Sequence, residues 1–301
     1  MNRDALESWR DGATKNAIIG FVTESATEGS PRFIPEADRI ATFDNDGTLW
    51  VEQPAPPQVP FLLQKLAAQV KADPTLAEKA PYREIVAKDE SFLGAVARQE
   101  PEAIRSFLSA VGAAWEGTTP EQYEEEVKQY FAANPHPKFA RPFTELVYRP
   151  MLELLDLLRG HDWRIFVASG GGRDFMRVIA EDVWGVPKEN VIGSAAEFEY
   201  KAGSLTRTPN LHGSVALGRG KPEDIFARTG RLPRFAAGNA DVDIEMLEVA
   251  DFRLAILHDD DEREYAYTAA AESFFAKARQ DGWAVASMKD DWAVLYDDGG
   301  A

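Results

Sequence analysis

The spacing of apolar residues changes period along the chain, and those changes divide it. Ala17, Ile18, Phe21 and Val22 recur at helical spacing, which predicts a helix over residues 13–25. Ile40 to Phe43 is instead a short, nearly unbroken apolar run bounded by turn residues, the pattern of a strand buried on both faces. From about residue 55 to 140 the spacing stays helical and no strand is expected. Phe61, Leu62, Leu63, Leu66, Ala67 and Val70 outline one amphipathic helix after Pro56, Pro57 and Pro60. Further helices are expected at 81–88, 91–98, 101–114 and 119–133, the last opened by Thr119-Pro120-Glu121. Pro135, Pro137 and Pro142 close this block.

Beyond it, strands and helices alternate. A helix over 144–159 carries Met151, Leu154, Leu155 and Leu158 and leads to a strand at Arg164–Ala168. A helix near 173–184 and a short strand at Asn190–Ile192 follow, then a hairpin of Glu197–Tyr200 and Ser204–Thr208 through Lys201-Ala202-Gly203. The remaining elements are a helix opening at Lys221-Pro222, a strand at Arg234–Ala237, a helix at 241–249 and a strand at Phe252–Leu257. Alternation of this kind implies a mostly parallel sheet flanked by helices, with right-handed crossovers. The expected architecture is an α/β core of residues 1–54 and 141–301, interrupted after its first strand by an all-helical insertion, 55–140.

Composition narrows the function. The 301 residues carry a formal charge of -17, which opposes binding to nucleic acid or anionic membranes. There is no cysteine, so disulfides, thiolate metal sites and cysteine nucleophiles are excluded together. The opening Met1 to Arg10 does not read as a secretory signal, and no stretch approaches the ~20 apolar residues of a membrane span. A soluble, cytoplasmic monomer or homodimer is expected.

Chemistry concentrates where the predicted strands end. After Ile40–Phe43 come Asp44-Asn45-Asp46-Gly47-Thr48, two carboxylates one residue apart and then a glycine turn. In an open α/β sheet ligands bind at this edge, and paired acids there call for a metal ion or a lysine between them. Ser169-Gly170-Gly171-Gly172 follows the second strand, where a hydroxyl and exposed backbone N–H groups suit phosphate oxygens. Its glycines lack the spacing of a dinucleotide-binding loop. Gly220-Lys221-Pro222 sets a lysine at a helix mouth, and Gly238-Asn239-Ala240-Asp241-Val242-Asp243 offers hard oxygen ligands after another strand.

In this order the four segments resemble those of the haloacid dehalogenase-like (HAD) hydrolases, whose first motif is an Asp-X-Asp-Gly-Thr after a buried strand. The resemblance covers about residues 38–260 and is nearest to a phosphatase branch that includes phosphoserine and phosphorylcholine phosphatases. It implies a Rossmann-like core with a helical cap, and a Mg²⁺-dependent phosphomonoesterase acting on a small phosphorylated metabolite. Asp44 would be the nucleophile and Asp46 the acid and base. Ser169 and Lys221 would hold the phosphoryl group, with Asn45, Thr48, Gly170 and Gly171 lining it. Asp44, Asp46 and Asn239 or Asp243 would hold the metal. Asn239 departs from the family pattern, which places an aspartate there; an amide ligates more weakly, and Asp241 is an alternative ligand.

Trp50 and Glu52 lie where the chain leaves for the insertion. They form either a site for a substrate ammonium group or, respectively, hinge packing and a solvated acid. His136, His161, His212 and His258 show no paired ligand spacing, and the acids of His258-Asp259-Asp260-Asp261 read as helix caps. A dehalogenase has no use for Asp46. A receiver domain would be smaller, whereas a phosphotransferase or mutase and a silent phosphate binder stay open.

Overall fold

The computed structural model describes residues 5–97, 100–213, 215–269 and 271–297. Seven strands, β1 Ile40–Phe43, β2 Arg164–Gly172, β3 Val191–Lys201, β4 Ser204–His212, β5 Phe235–Gly238, β6 Phe252–Leu257 and β7 Ala284–Ser287, lie in the order β4-β3-β2-β1-β5-β6-β7. β1 pairs in parallel with β2 and β5, and β5, β6 and β7 continue in parallel, whereas β4 runs antiparallel to β3. The α/β class and the mostly parallel sheet are therefore as the alternation implied. Among the described residues no helix is long and apolar enough to cross a membrane.

Two compact units divide the chain. The first comprises Met1–Pro54, Asn134–Gly193 and Val215–Ala301. Its strands alternate side chains between two apolar layers, as parallel strands must. On one side Phe43 stacks on Phe235 at 5.7 Å and Phe235 on Phe252 at 5.1 Å, with Phe21 of helix Ala13–Ala26 at 5.0 Å from Phe252. The other layer gathers Ile40, Phe166, Ala236, Ile225, Met246 and Phe274. Met151, Leu154, Leu155 and Leu158 all lie buried on helix Arg149–Arg159.

The second unit is Ala55–Ala133 with Ser194–Ser214, which corrects the all-helical insertion of 55–140. The expected strand at Asn190–Ile192 and the first arm of the hairpin are one continuous strand, β3, and most of the β3–β4 hairpin belongs with the helices. Backbone chemistry fixes it there. Gly117 N–H donates to Arg207 O at 2.8 Å and Arg207 N–H to Thr118 O at 2.9 Å. The Arg207 guanidinium lies 3.8 Å from the Tyr123 ring centre, within range of a cation–π contact. Phe61 stacks on Trp115 at 5.2 Å, and Glu126 accepts from both Lys65 and the Trp115 indole.

Helix Pro101–Ala114 approaches the hairpin so closely that a Cβ on Gly112 would stand 2.0 Å from Pro209 O. Only glycine permits that separation. Gly112→Ala is therefore expected to prise hairpin from helix and to cost about 1–3 kcal/mol, the scale of overpacking. Urea unfolding would measure it, and an unchanged midpoint would refute the close approach.

Several boundaries move. The helix expected at 173–184 is two, Arg173–Arg177 and Ala180–Trp184, and 241–249 resolves into a 3₁₀ turn, Asp241–Asp243, followed by helix Ile244–Glu248. Among the described residues no helix opens at Asp259–Asp261; Asp260 Oδ1 instead accepts the backbone N–H groups of Glu262 and Arg263 in a turn.

Candidate active site

Strand register brings the chemistry together. Phe43 pairs with Val167 on one side and Ala237 on the other, so the residues that follow each strand emerge side by side. Asp44 N–H still donates to Ala237 O at 2.9 Å, fixing the nucleophile candidate to the end of β5. Asp44, Asn45, Asp46, Thr48, Ser169, Lys221, Asn239 and Asp243 all belong to the first unit.

Lys221 sits near the N-terminus of helix Gly220–Thr229 and is wholly buried, at 0% exposure. Its Nζ donates to Asp44 Oδ1 at 2.5 Å and to Asp243 Oδ1. Asp243 Oδ2 in turn accepts the backbone N–H groups of Asn239 and Ala240 at 3.0 and 3.1 Å. Burial alone would pull the lysine pKa down, but Asp243 and Asp44 outweigh it and hold it above the ordinary value. Asp44 is pushed well up by burial and by Asp243, against the pull of Lys221. The two directions agree once charges are added: one ammonium serves two buried carboxylates, and net negative charge remains.

Asp46 is half-buried, and its Oδ1 accepts from the Trp50 indole at 2.8 Å and Asn45 Nδ2 at 3.3 Å. Burial and then Glu52 push its carboxyl up to about 7, against the pull of Trp50. An acid so placed can both give and take a proton near neutrality. Asn45 Oδ1 is buried and accepts no hydrogen bond from the described residues. Ser169 is buried, and its Oγ accepts Gly171 N–H at 3.1 Å; with Gly170, both lie in the end of β2, which runs on to Gly172 in place of the turn expected after Ala168.

Asn239 Oδ1 accepts from Thr48 Oγ1 at 3.2 Å, and its Nδ2 donates to Glu52 Oε1 at 3.0 Å. Thr48 thus faces Asn239. Asp241 is held elsewhere: its Oδ1 accepts Phe274 N–H at 2.7 Å, at the start of helix Glu272–Asp281. That contact commits one of its two carboxylate oxygens.

Trp50 is fully buried, edge-on to Trp184 at 5.4 Å, and offers no free face to an incoming cation. The aromatic half of the expected ammonium site is corrected to packing. Glu52 is half-buried, not a solvated acid; burial raises its pKa, and its Oε1 accepts from Tyr267 OH at 2.6 Å.

Sequence reasoning missed a supporting chain. His258, just past β6, has its Nε2 2.7 Å from Gly47 O and its Nδ1 3.1 Å from Glu264 Oε2, and Tyr148 OH donates to Glu264 Oε1 at 3.0 Å. Its place at the same strand edge as Asp44 was the available signal.

Comparisons with known proteins agree with this geometry. A chain of unknown function from Bordetella pertussis is 17% identical, with 82% of this chain and 97% of that one covered and a TM-score of 0.53. A functionally unknown protein from Anaerococcus prevotii is 14% identical over 93% of this chain and 95% of its own, with a TM-score of 0.59. Both likenesses are of fold. No curated protein that was compared matches the sequence. The family model for haloacid dehalogenase-like hydrolases matches residues 41–248, from β1 to the helix after Asp243. The chain belongs to the haloacid dehalogenase-like hydrolases.

Proposed function

We propose that the protein hydrolyses phosphomonoesters of small metabolites through a phosphorylated Asp44, assisted by Mg²⁺. The observation that carries this reading is the buried Asp44–Lys221–Asp243 cluster at the ends of β1 and β5. A carboxylate fixed beside an ammonium suits attack on an anionic phosphoryl group, whose charge the same ammonium offsets.

The residues fit a magnesium ion. Among the described residues no group of three or more His, Asp or Glu could by itself hold a metal. A cation here would therefore rest on the Asp44 carboxylate, the Asp46 main-chain carbonyl, the Asn239 amide oxygen and water, the sparse oxygen coordination that Mg²⁺ favours. The net negative charge of the lysine cluster is the second argument. When bound, the metal would supply charge neutralisation between nucleophile and phosphate.

In the first step an Asp44 oxygen bonds to phosphorus as the P–O bond to the leaving alkoxide breaks, and Asp46 gives that oxygen its proton. In the second, Asp46 takes a proton from water, whose oxygen attacks phosphorus and frees both phosphate and the Asp44 carboxylate. Lys221 and the end of β2 from Ser169 hold the equatorial oxygens throughout.

Hydrolysis of p-nitrophenyl phosphate with and without Mg²⁺ tests the reading. Its good leaving group needs no acid in the first step, so Asp46→Asn is expected to release one burst of p-nitrophenol and then stall. Steady turnover by that variant at the wild-type rate would overturn the role of Asp46. Absence of any Mg²⁺-dependent turnover in the wild type would leave a phosphate binder.

A further inference from the structure

Asparagine at a metal position carries a difficulty that aspartate does not. The side-chain amide is nearly symmetric in shape, yet only its oxygen can ligate a cation; turned over, it presents two N–H groups. Thr48 cannot select between these states, because a hydroxyl donates to an oxygen or accepts from a nitrogen equally well. An ionised carboxylate can select, because it only accepts.

We propose that Glu52 is a positioning residue that turns Asn239 so its oxygen, not its nitrogen, faces the cation. The inference rests on the metal-assisted reading above. Glu52 Oε1 stands 3.0 Å from Asn239 Nδ2, so the nitrogen is claimed and the opposite atom, bonded by Thr48, must be the oxygen. Glu52 is itself held. Tyr267 OH donates to the same Oε1 at 2.6 Å, and the Tyr267 ring stacks on His258 at 4.3 Å, while His258 reaches Gly47 O at 2.7 Å.

Gly47 makes room for the pair. Its φ is +73°, and a Cβ there would stand 2.1 Å from Asn239 Nδ2 and 2.7 Å from Glu52 Oε1. The loop that carries Asp44 and Asp46 thus leaves space for the amide–carboxylate contact. A neutral ligand with a fixed orientation thereby occupies the place of a charged one that needs none.

Titrating the protein with Mg²⁺ in a calorimeter tests this, with thermal unfolding used to confirm that each variant folds. Glu52→Met keeps the bulk but removes the acceptor, and is expected to weaken Mg²⁺ binding about 10-fold or more, the scale for groups that orient a metal ligand. Glu52→Gln also loses the selection, because an amide donates or accepts equally well, so it is expected to weaken binding by a similar factor. In an Asn239→Asp background the effect is expected to shrink. The new carboxylate needs no orienting, so either Glu52 substitution should then weaken binding by no more than about threefold, the loss of one nearby negative charge.

Equal weakening in the native and Asn239→Asp backgrounds would overturn orientation in favour of a simple charge effect. Wild-type binding left unchanged by Glu52→Met would also overturn it. Absence of Mg²⁺ binding by the wild type would remove the metal-assisted reading and this inference together. Should Glu52→Met fail to fold, Glu52→Gln alone decides: weakening of about 10-fold or more in the native background and within about threefold in the Asn239→Asp background.

Discussion

Lys221→Met is expected to abolish phosphatase turnover and to destabilise the protein by about 3–5 kcal/mol, the scale for breaking a buried ion pair from one side. The ammonium is wholly buried between Asp44 and Asp243, and methionine would leave both carboxylates facing each other without a cation. The loss should depend on pH in a set direction. Acids whose pKa lies higher in the folded protein than in the unfolded chain favour folding when protonated, and that advantage fades as pH rises through the folded pKa. Asp44 is already raised by burial and Asp243, and removing Lys221 raises it further. Urea unfolding of the metal-free variant should therefore show the smallest deficit in acid and a growing one toward neutral pH. A deficit independent of pH would mean that packing, not charge, sets the cost.

Asp44→Asn should cost at least about 10³-fold in turnover, as loss of a covalent nucleophile does, yet leave the fold intact. The amide keeps the shape and still offers Lys221 an acceptor oxygen. It also removes one of two negative charges served by a single ammonium, so the metal-free variant should unfold at the same urea concentration as wild type or higher. Measurable Mg²⁺-dependent hydrolysis above a thousandth of the wild-type rate would sink the covalent mechanism. A stability loss like that of Lys221→Met would show that the Asp44–Asp243 repulsion had been misjudged. The two variants touch the same contact, yet only the loss of Lys221 is expected to destabilise the fold.

Much of the site was legible because its parts sit where apolar runs stop. Asp44 and Asn239 each follow a buried strand, Ser169 is the last buried residue of β2, and the parallel pairing of β1 with β2 and β5 brings those ends together. Lys221 was legible through the Gly-Lys-Pro at a helix mouth, although nothing in sequence says that it reaches two acids. Asn239, Asp243 and the alternative Asp241 could not be separated as ligands, since that depends on which way a 3₁₀ turn points each side chain. Glu52 and His258 were opaque for a similar reason: their partners, Tyr267, Glu264 and Gly47, are remote in sequence or are backbone atoms. The continuity of β3 was hidden by Gly193 and Ser194, which break the apolar pattern without breaking the strand. β7 and helix Glu272–Asp281 went unseen because Ala284-Val285-Ala286-Ser287 is too small and too weakly apolar to stand out.

The hairpin that completes the second unit also sets a timetable. Its helices end at Ala133, but the strands that bond Gly117 and Thr118 and receive Gly112 are complete only by His212. During synthesis at about 5–20 residues per second, the helical segment must wait several seconds for its last partner. Meanwhile the face around Tyr123, later covered by Arg207, is open to water. A nascent chain in that interval is one for chaperones to shield, and a recombinant fragment ending at Ala133 would be held in the same unfinished condition indefinitely.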